Sequence, residues 1–156
     1  MTGGHEIIGT AVLRDYPLLL WAEQQEHFDS LVREFQLLLT GSESGMAEAP
    51  RKLVDLADMF TSRFGPLLQA VNDERQAALD SGKDRVDSHV PLVEGTPQLL
   101  EMVRSVLAEV DAYCAAGDML VLPRSPRLVA LGEWAHEELV RQYEGGEPTP
   151  WPGPFA

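Results

Sequence analysis

The chain has 156 residues, 44% of them hydrophobic, which is one domain's length with enough apolar material to bury a core without disulfides or metal. Its 25 Asp and Glu against 12 Lys and Arg give a formal charge of -13, with the acids spread through every region. That field repels phosphate backbones and anionic lipid, so nucleic acid and the membrane surface are excluded as partners; it keeps a helical surface in solution or draws in a basic protein.

Residues 1–13 hold Gly3, Gly4 and Gly9 around Ile7 and Ile8 without a helical period, and are expected to be a mobile or loosely docked leader. Asp15 then reads as an N-cap with Pro17 in the first turn, opening a helix whose face carries Trp21, Phe28, Leu31, Phe35 and Leu38 and which ends at Gly41. Residues 41–50 are a loop by composition. A second helix is expected from Pro50 or Arg51 through Leu53, Leu56, Phe60, Phe64, Leu67, Val71 and Ala78. Gly65 and Pro66 fall inside this pattern and, because the apolar register carries through them, predict a kink rather than an end. Residues 86–93 alternate apolar and polar briefly and break at Pro91. They read as an extended connection across the helices, since a lone strand has nothing to satisfy its backbone.

The third helix is the clearest. Thr96 caps it, Pro97 takes its first position, and Leu99, Val103, Val106, Val110 and Tyr113 step along one stripe to a terminator at Gly117. A short link leads to the fourth, opened by Ser125 and Pro126, carrying Leu128, Leu131, Trp134, Leu139, Val140 and Tyr143, and stopped by Gly145 and Gly146. The expected fold is therefore all-α: an antiparallel four-helix bundle over residues 14–145, preceded by the leader 1–13 and followed by an extended Pro- and Trp-containing tail, 146–156. No basic-then-apolar signal and no run of about eighteen apolar residues is present, which points to the cytoplasm.

Chemistry is sparse. Glu133 and His136 form a Glu-x-x-His pair on the fourth helix, and Glu26 and His27 lie on the first, together a candidate metal-sensing set. The second and third helices as drawn contain no histidine, so a complete cage cannot be assembled from them, and no metal or cofactor is assigned. Serine-hydrolase elbow, metalloprotease helix, phosphate loop and dinucleotide fingerprint are all missing, and no residue is assigned as catalytic. Cys114 lies on the apolar face of its helix and reads as a buried thiol in a reducing compartment. Trp134, Arg141, Tyr143 and Trp151 are the candidates for a protein-binding surface. The tail that carries Trp151 either folds back over the bundle, the favoured reading, or docks on a partner. Self-association fits as well, because broad apolar faces exceed what one bundle buries.

Val90-Pro91, residues 107–114 with Gly117-Asp118-Met119-Leu120 after them, and the ending Glu138-Leu139-Val140-Arg141-Gln142 with Pro148-Thr149-Pro150-Trp151-Pro152 resemble a family of small actinobacterial helical proteins. The resemblance covers the C-terminal half well and the first helix loosely. It implies a regulatory or adaptor role beside partner-switching systems, with an anti-sigma kinase or its STAS-domain antagonist as partner, and it transfers no catalytic motif. Where family members tend to have an aromatic-rich start to the fourth helix, this chain has Leu131-Gly132-Glu133-Trp134-Ala135-His136. The leading expectation is thus a non-enzymatic protein-binding module; the alternative is a bundle that senses a small molecule or metal.

Overall fold

The structure, a computed structural model, describes residues 6–41, 48–116 and 120–155. The elements run β1 (Ile7–Pro17), α1 (Leu18–Gly41), α2 (Glu48–Asp80), β2 (Arg85–Val93), α3 (Thr96–Ala116) and α4 (Pro126–Tyr143). Gly117, most of the 41–50 loop and the first five residues lie outside the described set.

The all-α four-helix bundle is corrected by β1 and β2, which pair antiparallel, so that the fold is mixed α/β. Each segment in isolation lacks a partner. Together, with two helices of chain between them, they satisfy each other's backbone. The supposed leader is therefore mostly strand: Ala11 and Leu13 are fully buried while Thr10 and Arg14 face out, the alternation expected of a half-buried strand. Residues 86–93 are not a connection laid over helices but the other half of this ribbon, with Val12 opposite His89 and Leu13 opposite Ser88.

Asp15 is not a helix cap. It has a left-handed backbone (φ 54°) at a bulge between the Leu13 and Tyr16 pairings, and its N–H donates to Asp87 Oδ1 at 3.0 Å. The extra residue bends β1 so that Tyr16 and Pro17 both turn inward before α1 begins, where Leu18 N–H donates to the Asp84 carbonyl. Thr96 likewise serves the strand rather than the helix: its hydroxyl accepts from Val93 N–H and donates to the Val93 carbonyl, fastening β2 to α3. Ser125 does cap α4, accepting from Leu128 N–H, and α2 runs through Pro66 as one helix.

The core falls into two parts along α1 and α2. One is wholly helical, with Leu31, Phe35, Leu53, Leu56, Val106, Val110 and Cys114 packed between α1, α2 and α3. In the other the ribbon replaces a helix: Ala11, Leu13, Tyr16 and Leu92 pack with Leu18, Trp21, Ala78, Leu131, Leu139 and, from the tail, Trp151. No described helix is long and apolar enough to cross a membrane.

A two-stranded ribbon is marginal in water and exposes two edges. Side chains close both. The Gln142 amide accepts from Val12 N–H and donates to the Val12 carbonyl, each at 2.9 Å, offering the donor and acceptor that a neighbouring strand would. On the far edge Glu74 accepts from His89 N–H at 2.8 Å and holds the same residue's ring at 2.8 Å. Gln142→Ala leaves two part-buried backbone groups without partners, and should cost about 2 kcal/mol and lower the unfolding midpoint by about 5 °C. Thermal melts followed by circular dichroism check this, with light scattering to detect pairing through the opened edge.

Candidate functional site

The last turn of α4 and the tail after it form the most elaborate polar structure among the described residues. Residues Leu128, Leu131, Ala135, Glu138 and Gln142 recur at spacings of three and four, so Glu138 and Gln142 sit on the stripe that α4 turns to the ribbon. Glu138 is completely buried. Its carboxylate accepts from Thr149 N–H at 2.9 Å, from the Thr149 hydroxyl, from Gln142 Nε2 at 3.2 Å and from Arg141 Nη1. Arg141 also reaches the Glu147 carbonyl, so one carboxylate and one guanidinium grip the tail from both sides.

The grip delivers Trp151 to the core. Its backbone N–H donates to the Arg14 carbonyl at 2.9 Å, beside the bulge, extending the cover that Gln142 begins over the β1 edge. The indole stands edge-on to Trp134 with ring centroids 5.3 Å apart and donates its own N–H to the Pro154 carbonyl. Trp134 also packs against Tyr16, and Phe155 lies under the Arg85 guanidinium, 3.8 Å from it. The tail folds back. Of the four residues proposed to face a partner, Trp151 is buried, Trp134 and Tyr143 are half-buried against the same core, and Arg141 is engaged with Glu138.

Burial acts to raise the Glu138 carboxyl, but the bonds from Thr149 and Arg141 outweigh it and hold it below its ordinary value. A carboxyl depressed in the folded state contributes stability that is full above its unfolded value of about 4.3 and is lost as pH falls through the lower folded value. The stability advantage of the natural protein over Glu138→Gln should therefore shrink between about pH 5 and about pH 3. Parallel thermal melts across that range measure it.

Behind the ribbon, Arg75 is the other buried charge among the described residues. Its guanidinium lies over the Tyr16 ring at 4.0 Å and its Nε donates to the fully buried Ser88 hydroxyl at 2.9 Å. Burial pulls the Arg75 group below its usual value and pushes the Tyr16 phenol up. Cys114 is buried in the helical core, and burial, with Asp111 and Glu34 adding to it, pushes its thiol up to about 11, far from a reactive thiolate.

The candidate metal set is not assembled. His27 Nε2 is 2.7 Å from the Leu122 carbonyl, and Glu133 is paired with Arg104 at 3.0 Å. Among the described residues no three or more His, Cys, Asp or Glu are grouped to hold a metal ion. A shallow open groove of about 340 Å³ lies between α1 and α2, lined by Trp21, Gln25, Gln69, Asn72, Asp73 and Gln76. Side-chain amides dominate it. No family model matches the chain, and no curated protein or solved structure matches it either.

Glu138, Gln142, Glu74, Arg75 and Thr149 are the residues that sequence reasoning passed over. For two of them a signal was present: a carboxylate and an amide on an apolar helical stripe require partners, which Thr149 of the tail supplies to Glu138 and Val12 of β1 to Gln142.

Proposed function

We propose that this chain is a non-enzymatic, cytoplasmic regulatory or adaptor protein of bacterial signalling that acts by binding another protein, with an anti-sigma kinase or a STAS-domain regulator as the partner class. The observation that carries the reading is how its polar groups are divided between interior and surface. Glu138 and Arg141 are bonded to the chain's own tail, and Gln142, Glu74 and Arg75 to its ribbon. The outer faces of the helices carry the excess of acid that makes the net charge -13. A surface of that kind meets a basic protein quickly and rejects acidic ones. The resemblance of the C-terminal half to actinobacterial proteins that accompany partner-switching regulators supports the same class.

Tagged full-length protein retained from native-host lysate tests this. The expected result is a stoichiometric protein partner whose retention falls as salt rises from about 0.05 M to about 0.5 M. An empty protein lane with an organic molecule in the eluate contradicts it. That outcome supports the second reading, sensing of a polar small molecule, for which the amide-lined groove between α1 and α2 is the supporting observation.

A further inference from the structure

Residues 120–125, between α3 and α4, have no regular structure, yet their backbone is tied down at four points. Leu120 N–H and Val121 N–H donate to the two carboxylate oxygens of Glu34, each at 3.1 Å. The Leu122 carbonyl meets His27 Nε2, and Arg124 N–H donates to Asp111 at 3.1 Å while the Arg124 side chain pairs with the same carboxylate at 2.9 Å. His27 and Glu34 are seven residues apart on one stripe of α1, so the segment lies along that helix, antiparallel to it. Val121 turns inward onto the helical core. Its neighbours turn out: Leu120 is 91% exposed and Leu122 73%, the two most exposed large apolar side chains among the described residues.

Single exposed leucines are ordinary. Two of them, spaced by one residue on a backbone that side-chain bonds hold in place, are a different case. A slack loop would let them fold onto the nearest apolar surface, whereas the ties to Glu34, His27 and Asp111 keep them pointing at solvent. Such a pinned segment loses little conformational entropy when something covers it. Its setting is acidic. With the Glu23–Arg127 pair set aside, helix α1 carries Glu26, Asp29 and Glu34 against Arg33 alone, and Arg124, the cation nearest the leucines in sequence, is paired with Asp111. A second copy would bring like charge to this place.

We infer that Leu120 and Leu122 are the anchor of the partner-binding surface, and that they enter an apolar cleft rimmed by basic side chains on the partner protein. The inference rests on the adaptor reading and gives that reading a location. The test takes the protein partner retained by the full-length chain, purified, and titrates it calorimetrically with three forms: the natural protein, the double variant Leu120→Ser/Leu122→Ser, and Leu68→Ser as a control at a half-exposed leucine on α2. The double variant should melt like the natural protein and bind about 100-fold more weakly, Leu68→Ser should bind normally, and natural binding should weaken with salt. Undiminished binding by the double variant overturns the inference while leaving the adaptor reading in place. So does binding that ignores salt, or a partner that proves to be a second copy of this chain by light scattering. Retention of no protein at all removes both.

Discussion

Replacing Glu138 by alanine should lower stability by about 3 kcal/mol and the unfolding midpoint by about 10 °C. The carboxylate is wholly buried and accepts bonds from Thr149, Gln142 and Arg141. Removing it leaves the Thr149 N–H short of its acceptor and the Gln142 amide short of one of its two, and opens a cavity where the carboxylate stood. One effect runs the other way: the cost of burying a charge disappears, and Arg141, which is exposed, regains water. Bonds to a charged acceptor are worth more than neutral ones, and four donors converge here, so the loss wins. Glu138→Gln keeps the volume and one carbonyl oxygen and should cost about half as much. A red shift of tryptophan emission should accompany the alanine variant, because release of residue 149 frees Trp151.

The second large effect is expected from Trp151→Ala, at about 3 kcal/mol. The indole is 5% exposed, contacts Trp134 edge-on, and belongs to the same buried cluster as Leu13 and Leu131. Its loss removes the apolar reason for the tail to return to the ribbon. Glu138 and Trp151 hold one segment at two points, so their effects should not add. The double variant is expected near 4 kcal/mol rather than near 6, since the first substitution already detaches most of what the second would lose. Thermal or urea melts of the two single variants and the double variant measure the coupling. Full additivity would show the two contacts acting separately.

Helices were legible because a period of 3.6 is a local signal. The stripe in α3 and the Ser125 cap with Pro126 mark elements that the structure contains within a residue or two. The strands were not legible. β1 carries Gly9 and a bulge at Asp15 that shifts its alternation, and β2 contains Pro91, so neither reads as a strand until the other is beside it. Pairing across so long a separation leaves no local trace.

The polar clamp was half legible. Glu138 and Gln142 on the α4 stripe announce buried polar groups in need of partners, but the residues that answer, Thr149 and Val12, lie in segments that sequence alone assigns to a tail and a leader. Trp134 and Tyr143 belong to the apolar pattern of α4 and Trp151 to the tail, and in the fold all three pack into the one cluster built on the ribbon. The outward leucines of residues 120 and 122 are the converse case: apolar in sequence, solvent-facing in the fold.

The C-terminal tail is part of the folded core, held by Glu138 and Trp151. Native-state hydrogen exchange at the Thr149 and Trp151 amides tests it most directly. Both N–H groups are donors, to Glu138 and to the Arg14 carbonyl, and both should exchange at least about 100-fold more slowly than in an unstructured peptide. Protection at both should vanish in Glu138→Ala while the Leu13 and Val110 amides stay protected. Exchange of the two tail amides at the unstructured rate in the natural protein, with those core amides still protected, would contradict the account.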